Sequence, residues 1–328
     1  MIWEVLGDSS DQVYSPQDEP QVEVRDEPSK SENLNTEAID RHMSTWDMFD
    51  RLVNHGCVDL SLQMDTKQDS AVIASGGGFG DIWMGKLYNG TKVAIKAWRS
   101  SMIEQCDYKK LKRATREIYY WSKMKHENIH QLMGVIIFKD NYLGMVSQWM
   151  ENGNLSQYIR ANPDVDRYQL CIQVASGLAY MHACNMVHGD LKSFNVLISS
   201  DGIAKLSDFG LSTMYEASIA FSETSITVGT TRWAAPELLD EESPKASKSS
   251  DVYALGMTML EIFTGAVPYP QCQRDFSVMR MVQQKILPTR PEGRIHTGQR
   301  GNKIWELLMS CWNYEPNERP SAQEVVKL

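Results

Sequence analysis

The stretch His188-Gly189-Asp190-Leu191-Lys192-Ser193-Phe194-Asn195, followed by Asp208-Phe209-Gly210, decides the reading of this chain. Asp190 and Asn195 stand five residues apart on a loop, just after a helix-like run that ends near Tyr180-Met181-His182. Thirteen residues beyond Asn195, Asp208 closes a short apolar hairpin, VLISSDGIAKLSD (196–208). Two carboxylates and a carboxamide on adjacent loop ends form an oxygen donor set suited to Mg²⁺, a hard cation.

Upstream, AVIASGGGFGDIWMGKL (71–87) and TKVAIKAW (91–98) read as strands, the first broken by a glycine-rich turn with Phe79 at its tip. Glycines let backbone N–H groups approach phosphate oxygens with no Cβ in the way. Lys96 lies in a mostly apolar strand, where an unpaired ammonium is costly, so it requires an anion. Glu117 is the candidate, on the helical run KKLKRATREIYYWSKM (109–124), whose Leu111, Ala114, Ile118 and Trp121 share one face. HENIHQLMGVII (126–137) and NYLGMVSQWM (141–150) read as two further strands. Beyond Pro163 the pattern turns helical. DRYQLCIQVASGLAYMH (166–182) carries a core-facing apolar stripe, and His182 near its end reads as a structural hydrogen bonder.

Bulk properties narrow the class. At 328 residues and 42% hydrophobic, the chain can bury one or two sizeable cores. The net charge of -9 disfavours non-specific binding to nucleic acid or anionic membrane. No long uninterrupted apolar run reads as a transmembrane helix, and MIWEVLGDSS (1–10) does not read as a signal peptide. Six cysteines without a C-x-x-C pair read as reduced thiols, which implies a cytoplasmic protein. Residues 1–45 are acidic and punctuated by Pro16, Pro20 and Pro28, a composition expected to stay disordered. Residues 46–69 are expected to form a short helical extension, with Ser44 or Thr45 as its cap and Gly56 as its stop.

These motifs together resemble a protein kinase over residues 70–328. The phrases RWAAPELL (232–239), LLMSCW (307–312) and NERPS (317–321) are similar to the tyrosine-kinase-like group. WMENGNL (149–155), VHGDLK (187–192) and YALGMTMLEIFTG (253–265) are similar to the expanded kinases of mushroom-forming fungi. The resemblance implies an α+β, two-lobed fold: a small antiparallel β lobe with one main helix (70–150), and a larger, mainly helical lobe (151–328). It implies ATP and Mg²⁺ between the lobes and protein substrates, with no nucleic-acid or membrane partner.

Residue by residue, the resemblance makes Asp190 the base for the substrate hydroxyl, Lys192 a neutraliser of the transferring phosphate, and Asn195 and Asp208 the metal ligands. Lys96, held by Glu117, would meet the α- and β-phosphates. The glycine-rich pattern falls on Ser75, Gly77, Gly80 and Ile82, with Gly76, Gly78 and Phe79 between; a serine replaces the first glycine. Ala94, Gln148, Met150 and Leu197 would border the adenine, with Ser147 as a small gatekeeper. Thr230 would bond Asp190 and Lys192, Glu237 would pair with Arg319, and Asp251 would anchor the catalytic loop. Gly189 stands where such kinases usually carry arginine. Lys192 and Thr230 favour Ser/Thr over Tyr as acceptor. The competing reading is a pseudokinase, a nucleotide-binding scaffold without phosphotransfer, which loss of Lys96, Asp190, Asn195 or Asp208 would favour; all four are present.

Overall fold

A computed structural model of the chain describes residues 44–77, 80–98, 115, 118–208, 231–240 and 245–327. The acidic segment 1–43, Gly78, Phe79, Glu117 and Thr230 lie outside the described residues.

The first helix, α1 (Thr45–Asn54), starts where the sequence places a cap. Ser44 Oγ accepts the Asp47 N–H at 3.1 Å, and Asp47 Oδ2 accepts the Ser44 N–H at 2.9 Å. These reciprocal bonds satisfy two orphan donors of the first turn. Met48, Phe49 and Leu52 share the inner face and are buried, each contributing roughly 1.5–3 kcal/mol. Gly56, at φ +90°, turns the chain out of the helix.

The sequence did not foretell the strap that follows. The Val135 N–H donates to Val58 O (2.9 Å) and the Leu60 N–H to Val135 O (3.1 Å), so residues 58–60 add a parallel bridge to the sheet edge. Gln68, at φ +42° with its side chain buried, then clamps Lys86 from both sides: its Nε2 donates to Lys86 O and its Oε1 accepts the Lys86 N–H.

The sheet contains β1 (Val72–Gly77), β2 (Gly80–Lys86), β3 (Lys92–Trp98), β4 (Leu132–Phe138) and β5 (Tyr142–Gln148), in the order β1-β2-β3-β5-β4, every pair antiparallel. Alternation along β3 sends Val93 and Ile95 to a core completed by Leu60, Met64, Leu87, Phe138 and Val146. Residues 126–130, read in sequence as the start of a strand, instead form a turn and a single bridge, and β4 begins only at Leu132. Their polar groups are spent elsewhere. His126 Nδ1 accepts the Asn128 N–H, and Asn128 Nδ2 donates to Ala204 O.

The larger lobe follows: α2 (Leu155–Ala161), α3 (Arg167–Ala183), β6 (Val196–Ile198), β7 (Ala204–Leu206), α4 (Pro236–Asp240), α5 (Lys248–Thr264), α6 (Asp275–Gln283), α7 (Gln299–Cys311) and α8 (Ala322–Lys327). α5 is apolar almost all round and buried from Ser250 to Phe263, as a helix of that composition must be. It is capped by Ser247 and closed by Gly265 at φ +73°. Gly256 lets Trp312 press against it, since a Cβ there would lie 2.7 Å from the indole Nε1.

Candidate active site

The loop between α3 and β6 is hung from α5. Asp251, 2% exposed, accepts the backbone N–H of His188 on Oδ2 (2.8 Å) and that of Gly189 on Oδ1 (2.9 Å), and His182 Nε2 lies 2.9 Å from Oδ2. One buried carboxylate thereby fixes two successive peptide planes. Gly189 adopts φ +79°, a region that a β-carbon disfavours. Burial lowers the His188 pKa, and its Nδ1 accepts the Asp190 N–H at 3.3 Å, so a neutral ring carries its proton on Nε2.

Asp190 is the centre of the cluster. Lys192 Nζ lies 2.9 Å from Oδ1 and 2.8 Å from Oδ2. Asn195 Nδ2 donates to Asp190 Oδ2 and to Asp190 O, both at 2.8 Å. With the amide nitrogen turned to Asp190, Asn195 Oδ1 faces the other way. A one-turn 3₁₀ helix, Ser193–Asn195, sets this spacing, and the Ser207 N–H and Oγ both bond Asn195 O (2.8 and 2.9 Å). The β6–β7 hairpin thus carries the chain from Asn195 back to Asp208.

Asp208 sits at φ +58°, uncommon for a residue with a side chain. Its Oδ1 contacts Lys96 Nζ at 2.5 Å, and this ammonium holds the carboxyl below its ordinary range. Lys96 is delivered by β3, where it pairs in register with Met145 of β5 and Ile82 of β2. Among the described residues its anion is therefore Asp208; Glu117 lies outside them. Trp121, on the helical stretch 118–123, donates Nε1–H to His130 O (2.7 Å), and the His130 N–H donates to Leu206 O (2.8 Å), two residues before Asp208.

The remaining sequence candidates fall as follows. Ser75, Gly76 and Gly77 of β1 pair with Ile82, Asp81 and Gly80 of β2, so the hairpin forms around the undescribed tip. Ala94 faces Ser147 across β3 and β5, and Gln148 ends β5. Met150 is buried, and its carbonyl accepts the Gly153 N–H. Leu197 pairs with Lys205 and bridges Asn154.

The sequence reading missed Glu261, which accepts Ser193 Oγ–H on Oε1 (2.8 Å) and both the Ser193 N–H (3.1 Å) and the Trp233 indole N–H (2.7 Å) on Oε2. Its signal was present as the lone charge in the apolar run LGMTMLEIFTG (255–265).

The donor set fits a hard cation: an ionised carboxylate at Asp208 and an amide oxygen at Asn195, neither of which selects for soft metals. No helix among the described residues is long and apolar enough to cross a membrane.

Comparison with known proteins agrees with this geometry. The chain is 30% identical over 260 residues to the serine/threonine-protein kinase STY46 of Arabidopsis thaliana, covering 78% of this chain and 42% of that one. It is 32% identical over 255 residues to the discoidin domain-containing receptor tyrosine kinase B of Caenorhabditis elegans (76% and 31%). It is 29% identical over 258 residues to the tyrosine-protein kinase FRK of Homo sapiens (76% and 48%). The chain thus spans less than half the length of each of these relatives. A family profile described as protein tyrosine and serine/threonine kinase matches residues 70–328, and on that match the chain belongs to the protein kinase family.

Proposed function

We propose that this chain is an ATP-dependent protein kinase that transfers the γ-phosphate to protein hydroxyls, Ser and Thr in preference to Tyr, in the cytoplasm. The observation that carries the reading is the Asp190 cluster. A single carboxylate is oriented by Lys192 through an ion pair and by Asn195 through one hydrogen bond, with a second from the same amide to the Asp190 backbone carbonyl, and the loop beneath is fixed by Asp251.

Asp190 orients the acceptor hydroxyl and takes its proton. Catalysis by a positioned base of this kind is worth about 10²–10⁴-fold. Lys192, already beside Asp190, supplies positive charge where the transferred phosphoryl group develops negative charge. Lys96 binds phosphate oxygens, and its contact with Asp208 keeps the ammonium beside the carboxylate that would take the metal. Asn195 Oδ1 and the Asp208 carboxylate would hold Mg²⁺, which would supply positive charge to offset that of the phosphates. The hairpin 72–86 covers the phosphates with backbone N–H groups, while Ala94, Gln148, Met150 and Leu197 border the base. Glu117 keeps the role of partner to Lys96. Residues 70–328 form the catalytic domain, preceded by the extension at 46–69 and the acidic segment 1–45.

The test is transfer of radiolabelled phosphate from ATP–Mg²⁺ to generic protein substrates, followed by phospho-amino-acid analysis, with Asp190→Asn as control. Labelled phosphoserine or phosphothreonine that disappears in the variant supports the reading. Nucleotide binding without transfer would make the chain a scaffold.

A further inference from the structure

We propose that the extension Ser44–Cys57 is a positioning segment for phosphate transfer: it clamps the helical stretch 118–123 against the sheet, and that stretch continues directly from Glu117. This inference rests on the kinase reading above and goes beyond it, because the residues that do the clamping precede the family match at 70–328.

The stretch 118–123 presents two faces. Ile118 and Trp121, three residues apart, are buried in one apolar cluster with Leu143 and Met145 of β5. Tyr119, Ser122 and Lys123 stand at i, i+3 and i+4, so they form an adjacent flank. The end of the extension meets that flank with three consecutive residues. The His55 ring lies edge-on to the Tyr119 ring with centroids 6.3 Å apart, Lys123 Nζ donates to Gly56 O at 3.1 Å, and the Cys57 thiol and Ser122 hydroxyl share a hydrogen bond. Gly56 suits the middle contact. It turns at φ +90°, and a Cβ there would crowd the Lys123 ammonium from 3.0 Å.

Upstream, α1 supplies the rest of the clamp. Met48, Phe49 and Leu52 belong to the same buried cluster as Ile118 and Trp121, and α1 lies along β4 and β5. Side chains packed at interior density transmit a displacement to their neighbours, so a gap under α1 is felt by the stretch beside it.

From that stretch the contacts run on to the reacting groups. Met145 pairs in register with Lys96. Trp121 Nε1–H donates to His130 O, and the His130 N–H donates to Leu206 O, two residues before Asp208. A shift of 118–123 therefore reaches Glu117 along the chain, and Lys96 and Asp208 through packing and hydrogen bonds. Transfer chemistry is sensitive to such shifts, since a misplacement of about 1 Å can cost about 10²-fold in rate.

The experiment uses the full chain and follows hydrogen exchange at amides 118–123 and in α5, alongside kcat and KM for a protein substrate. Met48→Ala combined with Leu52→Ala strips the inner face of α1 and changes no residue of the site. Exchange at 118–123 should quicken about tenfold with α5 unchanged, and kcat should fall about tenfold with KM for the protein substrate within about twofold. Leu52→Met, which keeps the volume, should restore both, and Asp50→Ala, on the exposed face of α1, should match wild type. Lys123→Met leaves the apolar cluster whole and removes the bond to Gly56 O, so it should show the same two changes at about two- to threefold. Wild-type exchange at 118–123 in both the double variant and Lys123→Met overturns the clamp. So does quickening that spreads equally to α5, which would be loosening of the whole fold, and so does an unchanged kcat once 118–123 has loosened. Should the wild-type chain transfer no phosphate, the kinase reading fails by itself, and exchange at 118–123 still decides whether the extension holds that stretch.

Discussion

Arg319 and Glu237, 82 residues apart in sequence, meet as a parallel fork, with Nη1–Oε1 at 2.7 Å and Nη2–Oε2 at 2.8 Å. The guanidinium is fully buried at its head and also donates from Nε to Asn313 O (2.7 Å) and from Nη1 to Ser249 O (3.0 Å). A planar group with five donors can serve α4, the start of α5 and the 313–314 turn at once, which an ammonium cannot.

Arg319→Lys should therefore be strongly destabilising despite keeping the charge. Breaking a buried pair of this kind costs ~3–5 kcal/mol. At about 2–4 °C per kcal/mol for a domain of this size, the calorimetric Tm should fall by roughly 6 °C or more. A drop under about 2 °C would mean that the fork is not holding the lobe together.

Asp190→Asn should lower kcat by ~10²–10⁴-fold while leaving the fold intact, because the amide retains the shape but cannot accept a proton. Lys96→Met removes the partner of the Asp208 carboxylate and should abolish productive phosphate alignment with little change in Tm. Near wild-type turnover in both purified variants would displace the site from where we locate it.

His130 gives the protein an acid-sensitive point. It is 4% exposed, and burial lowers its pKa from 6.5 to about 4. The unfolded chain then binds its proton first, so the stabilising contribution is present above pH 6.5 and drains away as pH falls toward 4. A shift of that size corresponds to ~3 kcal/mol at most. Glu261 acts with the opposite sign. Its raised pKa gives a contribution that is full below pH 4.5 and lost as pH rises toward 7. The two overlap, so the quantity to measure is the difference between wild type and His130→Leu by denaturant unfolding. That difference should shrink between pH 6.5 and 4; a pH-independent difference would show that His130 keeps its proton in the fold.

Local chemistry was the most readable part of the sequence. The Ser44 cap and the Gly56 stop of α1 are written in adjacent residues. Lys96 and Asp208 are placed by strand register and hairpin length, both short-range rules, and Asp251, Glu237 and Arg319 came from motifs. What stayed hidden depends on distance in sequence. Nothing near Cys57–Gln68 announces a strap, because its partners, Val135 and Lys86, belong to other elements. The 126–130 stretch has strand-like residues, but its backbone bonds Leu206 and its side chains cap a turn, which propensity cannot foresee. Glu261 was visible as a charge in an apolar helix, yet its meaning required Ser193 and Trp233 to be brought to it.

Gly134→Ala probes the strap directly. A Cβ there would sit 2.3 Å from Val58 O and 2.7 Å from Leu60 Cγ, so the strap must lift. Hydrogen exchange should quicken at Val135 and Leu60, whose amides bond across this contact, with kcat reduced far less than by Asp190→Asn. Unchanged protection at both amides would mean that the contact relaxes without separating.

The strap also covers part of a sheet edge. β4 is one of the two edge strands of the sheet and reads Leu-Met-Gly-Val-Ile-Ile-Phe, with no charge and no proline to blunt it. A bare edge of that composition is a template for another chain's strand. Val58 and Leu60 occupy its hydrogen-bonding positions at Val135, so that just upstream of the family match, which begins at residue 70, the chain carries its own guard against edge-to-edge association.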